Sequence, residues 1–392
     1  MVDTTLYLGA VGGGKVGAVT PAAEAPPSLR QPPQPVWVRW MRAVVLLLSV
    51  GLFIRVLWMA DLSNVGKLLA QIGPLALVAV IPYGLEVVAD TAGWRAILLG
   101  LEARVALWRL LGVRLSTEAV NLSFPGGPFL ADGLKVWFLS QRFGVAVAES
   151  TSSLAVKKVL QIGTQGIYLL VAAAVSGPWM RELSASLVHA GVLRPLVFSI
   201  GVFLCLFAAG GVAVLLSGRV AERLWSLLLR MPSRRMKEWV RARQATFFQI
   251  DTHSRDVLRS HVPGLAFAAA WILVGWFMES AETWVILRLV GVEIPYGAVL
   301  AFEPVVALAR SVVFFVPAGL GVQDGGYMAA LRGLGIADAT NRAAAFVLLK
   351  RFKEAFWIAV GWALFLATRG TGPSAAAPPT TEASSSAAPG AP

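Results

Sequence analysis

Six long apolar segments limit this chain to one kind of architecture. They span residues 41–60, 68–89, 148–175, 196–216, 262–289 and 341–368. A helix rises 1.5 Å per residue, so about 20 apolar residues cross the roughly 30 Å of hydrocarbon in a bilayer. A weaker candidate, residues 297–316, is interrupted by Glu303, Pro304 and Arg310. The pattern predicts an all-α fold, a polytopic transmembrane helix bundle with about seven to eight spans.

The composition favours a membrane domain over a soluble globule. Hydrophobic residues make up 57% of the chain and charged residues 14%, whereas soluble domains average about 25% charged residues. Residues 1–36 are rich in proline, and residues 370–392 consist mainly of alanine, proline, serine and threonine. Such segments are typical of disordered tails. We therefore predict one transmembrane domain over residues 37–369 between two disordered tails.

Basic residues concentrate between two of the apolar segments. Residues 218–260 contain ten lysines and arginines against four acidic residues. The positive-inside rule predicts that this segment is a cytoplasmic loop and that the amino terminus is also cytoplasmic. A second basic group comprises Arg95, Arg104, Arg109 and Arg114. We expect both groups to face anionic headgroups and not nucleic acid, since they lack interleaved aromatic residues on a soluble face.

Two further segments, residues 120–144 and 312–335, are too interrupted to be ordinary spans. Each contains the pattern Pro-x-Gly-x4-Asp-Gly, followed by a glycine and a long helix with a basic pair. The residues of the pattern are Pro125, Gly127 and Asp132 in the first copy and Pro317, Gly319 and Asp324 in the second. Residues 120–176 and 312–368 therefore form a predicted internal repeat. Because paired breaks in membrane helices indicate the central site of a transporter, we predict two re-entrant segments that meet inside the bundle. The alternative is a pair of tight loops at the membrane surface.

Residues near the breaks are the candidate substrate-binding groups. Besides the repeated pattern, the candidates are Lys157, Lys158, Arg310, Gly321, Gln323, Lys350, Arg351 and Glu354. Ionisable groups inside membrane helices are costly and indicate function. We expect the cations to attract a phosphate or another anionic headgroup, with Asp132 and Asp324 orienting them. The alternative is that the lysines reach out to the headgroup region.

Specific ion pairs also follow from local spacing. Lys350 and Glu354 are four residues apart and are expected to pair. Arg310 is expected to hold Asp324 or an anionic substrate. Glu279 and Glu282 stand near the outer end of their predicted helix, where solvated interface positions are expected. Glu86 and Asp90 end a predicted span and are expected to pair with Arg95.

The second break resembles the signature of a known membrane family. Residues 315–325 read Phe-Val-Pro-Ala-Gly-Leu-Gly-Val-Gln-Asp-Gly, and Gly335 and the pair Lys350 and Arg351 follow. This is similar to the flippase-like family, which comprises the transmembrane region of lysylphosphatidylglycerol synthases and stand-alone proteins that include a hopanoid-associated group. That family usually has Glu at the positions of Asp132 and Asp324. The resemblance implies a polytopic carrier that moves lipids between leaflets. Because the chain ends 24 residues after Thr368, we expect no lysyltransferase domain.

Three hypotheses about function follow. The first is a lipid translocator that moves an anionic or aminoacylated phospholipid, or a hopanoid, between inner-membrane leaflets. The alternatives are a membrane-embedded transferase on a lipid-linked substrate, with Asp132 or Asp324 as general base, and an accessory subunit whose partner is a lipid-modifying enzyme. Since no nucleotide-hydrolysing motif is present and the single cysteine and three histidines lack metal-ligand spacing, we predict a protein that is not an enzyme and holds no metal or cofactor. Four crossings between the breaks would make the repeats parallel, whereas a re-entrant segment at residues 297–316 would make them inverted.

Overall fold

The computed structural model describes residues 61–124, 126–230, 234–312, 316 and 320–369. The regular structure of these residues is entirely helical, which confirms the all-α class. The α-helices, numbered α1 to α14, are Leu62–Ile72, Ile81–Gly100, Leu107–Ser123, Gly127–Phe143, Val147–Val175, Gly177–Val188, Leu193–Leu216, Val220–Leu229, Arg234–Arg241, Gln244–Ser260, Val262–Leu289, Tyr296–Val312, Val322–Gly333 and Ala339–Arg369. A 3-10 helix, Gly73–Val80, joins α1 to α2. Both predicted disordered tails and the apolar segment 41–60 lie outside the described residues.

Within the described residues, four stretches of helix are long and apolar enough to cross a bilayer. They are Ser63–Gly100, Val147–Val175, Leu193–Leu216 and Val262–Leu289. The first combines α1, the 3-10 helix and α2 into 38 residues, so the predicted span 68–89 is too short. Helix α14 is 31 residues long, and charged residues from Lys350 to Glu354 interrupt its apolar sequence. The helical bundle is thus confirmed, while the number of spans stays a prediction.

Helices α2 and α11 pack against each other in antiparallel orientation. Glu86, in the first half of α2, lies beside Gly275 at the middle of α11. Further along α2, Gly93 lies against Ala268, which comes earlier in α11; a Cβ atom on Gly93 would be 2.9 Å from the Ala268 carbonyl oxygen. Only glycine allows the two backbones to approach so closely. This pairing brings the charged residues of α2 next to α11.

The first predicted break is a tight turn between α3 and α4. The backbone N–H of Gly127 donates a hydrogen bond to the Phe124 carbonyl oxygen at 2.9 Å. A Cβ atom on Gly127 would lie 2.0 Å from the Asn121 carbonyl oxygen, so no other residue fits without moving the turn. Pro125 lies outside the described residues.

The second predicted break separates α12 from α13. The Asp324 carboxylate accepts a hydrogen bond from the backbone N–H of Gly321 at 2.8 Å. This bond satisfies a free amide at the start of α13, as a helix-capping side chain does. Pro317 and Gly319 lie outside the described residues.

The basic segment between α7 and α11 is helical, which corrects the expectation of a loop. It contains α8, α9 and α10. The buried Asp251 of α10 accepts hydrogen bonds from the backbone N–H groups of Ala221 and Glu222 at 2.8 and 3.0 Å. These amides have no intrahelical partner because they begin α8. An acidic residue therefore anchors α8 to α10, and the location of the segment on the cytoplasmic side stays a prediction.

Candidate functional site

A polar cavity of about 290 Å³ lies between α2, α3, α4, α5, α11, α12 and α14. Its charged lining residues are Glu86, Arg114, Glu118, Glu279, Glu282, Arg310, Lys350, Lys353 and Glu354. Tyr83, Trp276 and Trp357 add aromatic surface. Charged groups are rare inside membrane helices except where they serve a site or a pathway. The cavity is therefore the candidate functional site.

The two breaks reach the cavity, but the two aspartates do not line it. Pro128 beside the first break and Val316 within the second are lining residues. Of the predicted substrate-binding residues, those that line the cavity are Arg310, Lys350 and Glu354. The described candidates outside its lining are Gly127, Asp132, Lys157, Lys158, Gly321, Gln323, Asp324 and Arg351. The two aspartates contact cations of neighbouring helices, and a pocket shared by both stays a prediction.

Arg114 of α3 is the centre of the ion pairs on one side of the cavity. Its Nε atom lies 2.8 Å from Asp90 Oδ2. The guanidinium also pairs with Glu118, one turn further along α3. A third carboxylate, Glu86, is more distant, with its Oε1 atom 3.9 Å from Arg114 Nη2. One guanidinium thus pairs with three carboxylates, which is possible because it has five N–H donors.

Lys157 of α5 supplies a second cation to Asp90. Its Nζ atom donates to Asp90 Oδ2 at 2.7 Å and lies 5.4 Å from the centre of the Trp94 ring. Arg95, the expected partner of Asp90, instead donates from Nε to the Val105 carbonyl oxygen at 3.2 Å. The assignment of Arg114 to a basic cytoplasmic group is likewise wrong, because α3 packs on α2 and carries this residue to the cavity.

On the other side of the cavity, Lys350 of α14 is the cation shared by more than one carboxylate, as Arg114 is on the first side. It is 3% exposed, and its Nζ atom lies 3.6 Å from Glu282 Oε1 and 3.8 Å from Glu303 Oε1. It also donates hydrogen bonds to Tyr327 Oη at 2.6 Å and to Thr283 Oγ1 at 3.2 Å. The buried ammonium thus has two hydroxyl groups as hydrogen-bond acceptors and two carboxylates as nearby counter-charges.

Two local expectations for this side are corrected. Lys350 does not pair with Glu354, whose partner is Arg351 at 2.5 Å. Glu282 is not a solvated interface residue, since it is 1% exposed and its Oε2 atom lies 3.0 Å from Lys353 Nζ. Both differences arise because the side chains of Lys350 and Glu282 point into the bundle and meet partners on adjacent helices.

Arg310 pairs with Glu279 across α12 and α11. Its Nη1 atom also donates to Gln323 Oε1 at 3.4 Å. The expected partner, Asp324, pairs instead with Arg351 Nη2 at 2.5 Å. Glu279, expected at a solvated interface, therefore belongs to the cavity together with Arg310.

The two repeated aspartates have similar partners. Asp132 Oδ2 lies 3.0 Å from Lys158 Nζ, and Asp132 Oδ1 lies 2.8 Å from Lys135 Nζ. Asp324 pairs with Arg351, as described above. Each aspartate thus contacts the second cation of the basic pair on the following long helix. Their part in substrate binding stays a prediction.

Sequence reasoning missed several members of these networks. The missed residues are Arg114, Glu118, Glu303, Tyr327 and Lys353. The sequence did contain a signal for Arg114 and Glu118. They are four residues apart on a 17-residue helix, a spacing that favours an ion pair. No local signal existed for Tyr327, whose hydroxyl donates to Glu303 at 2.9 Å across 24 residues.

The described part of the chain has four stretches of helix of bilayer length and a cavity lined by charged side chains between its helices. These features define a polytopic α-helical membrane protein with an internal polar site. The chain belongs to the family described as the lysylphosphatidylglycerol synthase TM region, which matches residues 42–368. This match confirms the family indicated by residues 315–325. The comparison with curated proteins found no match.

Proposed function

We propose that this chain is a lipid translocator of the bacterial inner membrane, in which the lipid headgroup crosses through the charged cavity. The observation that carries the proposal is the set of nine ionisable side chains around one cavity, between helices of bilayer length. Such groups are costly in hydrocarbon and are kept where they meet water or a polar ligand. The headgroup is the part of a lipid that needs such a path.

The size of the cavity supports passage of a headgroup alone. Its volume of about 290 Å³ is at the lower end of the roughly 300–1,000 Å³ typical of small-molecule sites. The acyl chains would stay in the surrounding hydrocarbon, because moving apolar surface into a charged cavity is unfavourable.

The order of helices supports an inverted internal repeat around the cavity. Each half has a long helix, a 17-residue helix, a break, a further helix and a second long helix: α2 to α5, and α11 to α14. The first helices of the two halves, α2 and α11, are antiparallel. Inverted repeats around a central site are typical of secondary transporters, in which each half opens the site to one side. The inverted arrangement is the one expected if residues 297–316 are re-entrant.

The cations of the cavity already have carboxylate partners, so a phosphate must exchange with them. Arg310 is the most accessible, with a side chain that is 35% exposed. Arginine binds phosphate through two parallel hydrogen bonds. We assign to Arg310 the first contact with the headgroup of an anionic or aminoacylated phospholipid, or with the polar group of a hopanoid. A lipid-modifying enzyme that supplies this lipid is the proposed partner.

The orientation follows from the basic helices. Residues 218–260 hold ten basic and four acidic residues. The positive-inside rule places such a segment in the cytoplasm. We therefore propose that α8, α9, α10 and the amino terminus lie on the cytoplasmic side.

The test is a translocation assay in proteoliposomes that contain fluorescent lipids of several headgroup classes. The double variant Arg310→Gln with Glu279→Gln removes both charges of one cavity pair and so leaves no unpaired charge. The matched control, Arg234→Gln with Glu238→Gln, removes an exposed pair in α9 whose atoms are 3.1 Å apart.

The cavity variant should slow translocation by about 10- to 100-fold, because a hydrogen bond to a charged group contributes about 1.5–3 kcal/mol. The control should keep the wild-type rate. Equal rates in both variants would contradict the assignment of Arg310. Turnover of a lipid-linked donor without lipid movement would favour the transferase, and movement only with a co-purified enzyme would favour the accessory subunit.

A further inference from the structure

The ion pairs around Arg114 leave one negative charge uncompensated. Asp90, Glu118 and Glu86 carry three negative charges, while Arg114 and Lys157 carry two positive charges. Glu86 is the most distant of the three carboxylates from Arg114, at 3.9 Å. Its Oε2 atom is buried and has no hydrogen-bond partner in the part of the chain that the structure describes. The excess charge therefore lies on Glu86.

The other carboxylates that line the cavity are closer to a cation. Glu118 contacts Arg114 and Glu279 contacts Arg310 directly, Glu282 lies 3.0 Å from Lys353, and Glu354 lies 2.5 Å from Arg351. Glu86 differs from these in its distance to the nearest cation, which is 3.9 Å. It lines the same cavity and keeps 20% of its side-chain exposure.

Glu86 is surrounded by other acids and by a single arginine that it shares with them. The charged groups that face it are Arg114 and Glu118 of α3, Glu279 of α11 and Asp90 of α2 itself. Tyr83, one turn earlier, has a buried hydroxyl without a hydrogen-bond partner among the described residues, and its ring holds Lys353 Nζ of α14 at 4.3 Å from the centre. Glu86 lies about 21 Å along the helix axis from Gly100, at 1.5 Å per residue. A carboxylate near three others and one shared cation becomes a proton acceptor when that cation is withdrawn.

We propose that Glu86 is a proton-binding site that couples movement of an anionic headgroup to movement of a proton, an inference that rests on the proposed function. When the headgroup phosphate takes hydrogen bonds from Arg114, Glu86 loses its nearest cation. A proton from water on the entry side then forms an O–H bond with Oε2. It returns to water on the exit side as the phosphate leaves. One negative headgroup and one proton thus cross together without net charge.

Protonation itself is tested by infrared difference spectroscopy on the purified full chain. The probe is a short-chain phosphatidylglycerol with ether-linked tails, because ester carbonyls would absorb in the same region as a protonated carboxylic acid. Adding the probe should produce the C=O band of a protonated carboxylic acid. The band should be absent in Glu86→Gln and unchanged in Glu182→Gln, which removes an exposed carboxylate of α6. Absence of the band in the wild type, or its persistence in Glu86→Gln, would overturn the proposal.

Coupling is tested in proteoliposomes with fluorescent phosphatidylglycerol and an imposed pH gradient. If one proton accompanies each lipid, the ratio of lipid in the two leaflets should shift about tenfold per pH unit. One pH unit is a tenfold difference in proton concentration, and a one-to-one coupling transfers that ratio to the lipid. Glu86→Gln should move lipid without responding to the gradient, and Glu182→Gln should behave as the wild type.

The outcomes separate this inference from the proposed function. Lipid movement that ignores the pH gradient, or follows a sodium gradient instead, would overturn coupling and leave translocation intact. A wild type that moves no lipid would overturn translocation, and the coupling inference with it.

Discussion

Replacing Lys350 with methionine should strongly destabilise the protein, because the ammonium is shared by two buried carboxylates. Lys350 Nζ lies within 3.8 Å of both Glu282 and Glu303. Methionine is of similar length and leaves little void, so the variant isolates the effect of charge. Removing one partner of a buried ion pair costs about 3–5 kcal/mol. Lys353 still compensates Glu282, so Glu303 bears most of the loss and we expect a cost near 3 kcal/mol, the lower end of that range.

The assay is thermal unfolding of the purified protein, followed through the fluorescence of its 14 tryptophans. A large domain loses about 2–4 °C of melting temperature per kcal/mol, so the expected decrease is about 6–12 °C. The control, Lys67→Met, changes an exposed lysine of α1 and should alter stability by less than about 0.5 kcal/mol.

A compensating change separates charge from packing. Lys350→Met combined with Glu303→Gln removes the stranded carboxylate and should recover at least about half of the lost stability. If the single variant melts with the Lys67→Met control, or the double variant melts below the single one, the argument that Lys350 neutralises Glu303 is refuted.

Two further comparisons test the packing around the cavity by the same measurement. Lys157→Met should cost about 3 kcal/mol because it removes a buried cation that pairs with Asp90. Lys158→Met, whose side chain is 51% exposed, should cost less than about 1 kcal/mol, and equal losses would contradict this difference. Gly93→Ala should cost about 1–3 kcal/mol by forcing α2 and α11 apart, while Gly112→Ala, with open space around its Cβ position, should be neutral or stabilise by up to about 1 kcal/mol. A Gly93→Ala variant as stable as the wild type would show that α2 and α11 can move apart without loss of stability.

The lengths of the apolar segments were enough to predict the helical class, because a chain in hydrocarbon must satisfy its own backbone hydrogen bonds. The predicted segments 262–289 and 148–175 agree with α11 and α5 to within one residue. The segment 68–89 was predicted too short because Asp90 was taken to mark the end of the helix. Asp90 instead pairs inside the bundle with Arg114 and Lys157, so the helix continues to Gly100.

The ion-pair partners within the site could not be predicted from the spacing of residues along a helix. The rule for residues four apart favours Lys350 with Glu354, whereas the nearest carboxylates of Lys350 are 68 and 47 positions away in the sequence, at Glu282 and Glu303. Helix packing decides between these partners. The sequence marks Lys350 as a charge in an apolar helix, but which helix its side chain faces depends on tertiary structure.

A difference between the two halves would allow a proton to favour one of the two open states of the proposed translocator. When α2 and α11 are aligned on their last residues, Asp90 corresponds to Glu279, so both halves keep an acid there. Glu86 corresponds to Gly275, which lies directly beside it and leaves room for its side chain. Two halves with the same charges would respond to a proton equally, and a ligand shifts a conformational equilibrium only through its different affinity for the two states. A proton site in only one half meets this condition. A state that opens the half containing Glu86 exposes a carboxylate to water, whereas a state that opens the other half exposes a glycine, which cannot bind a proton.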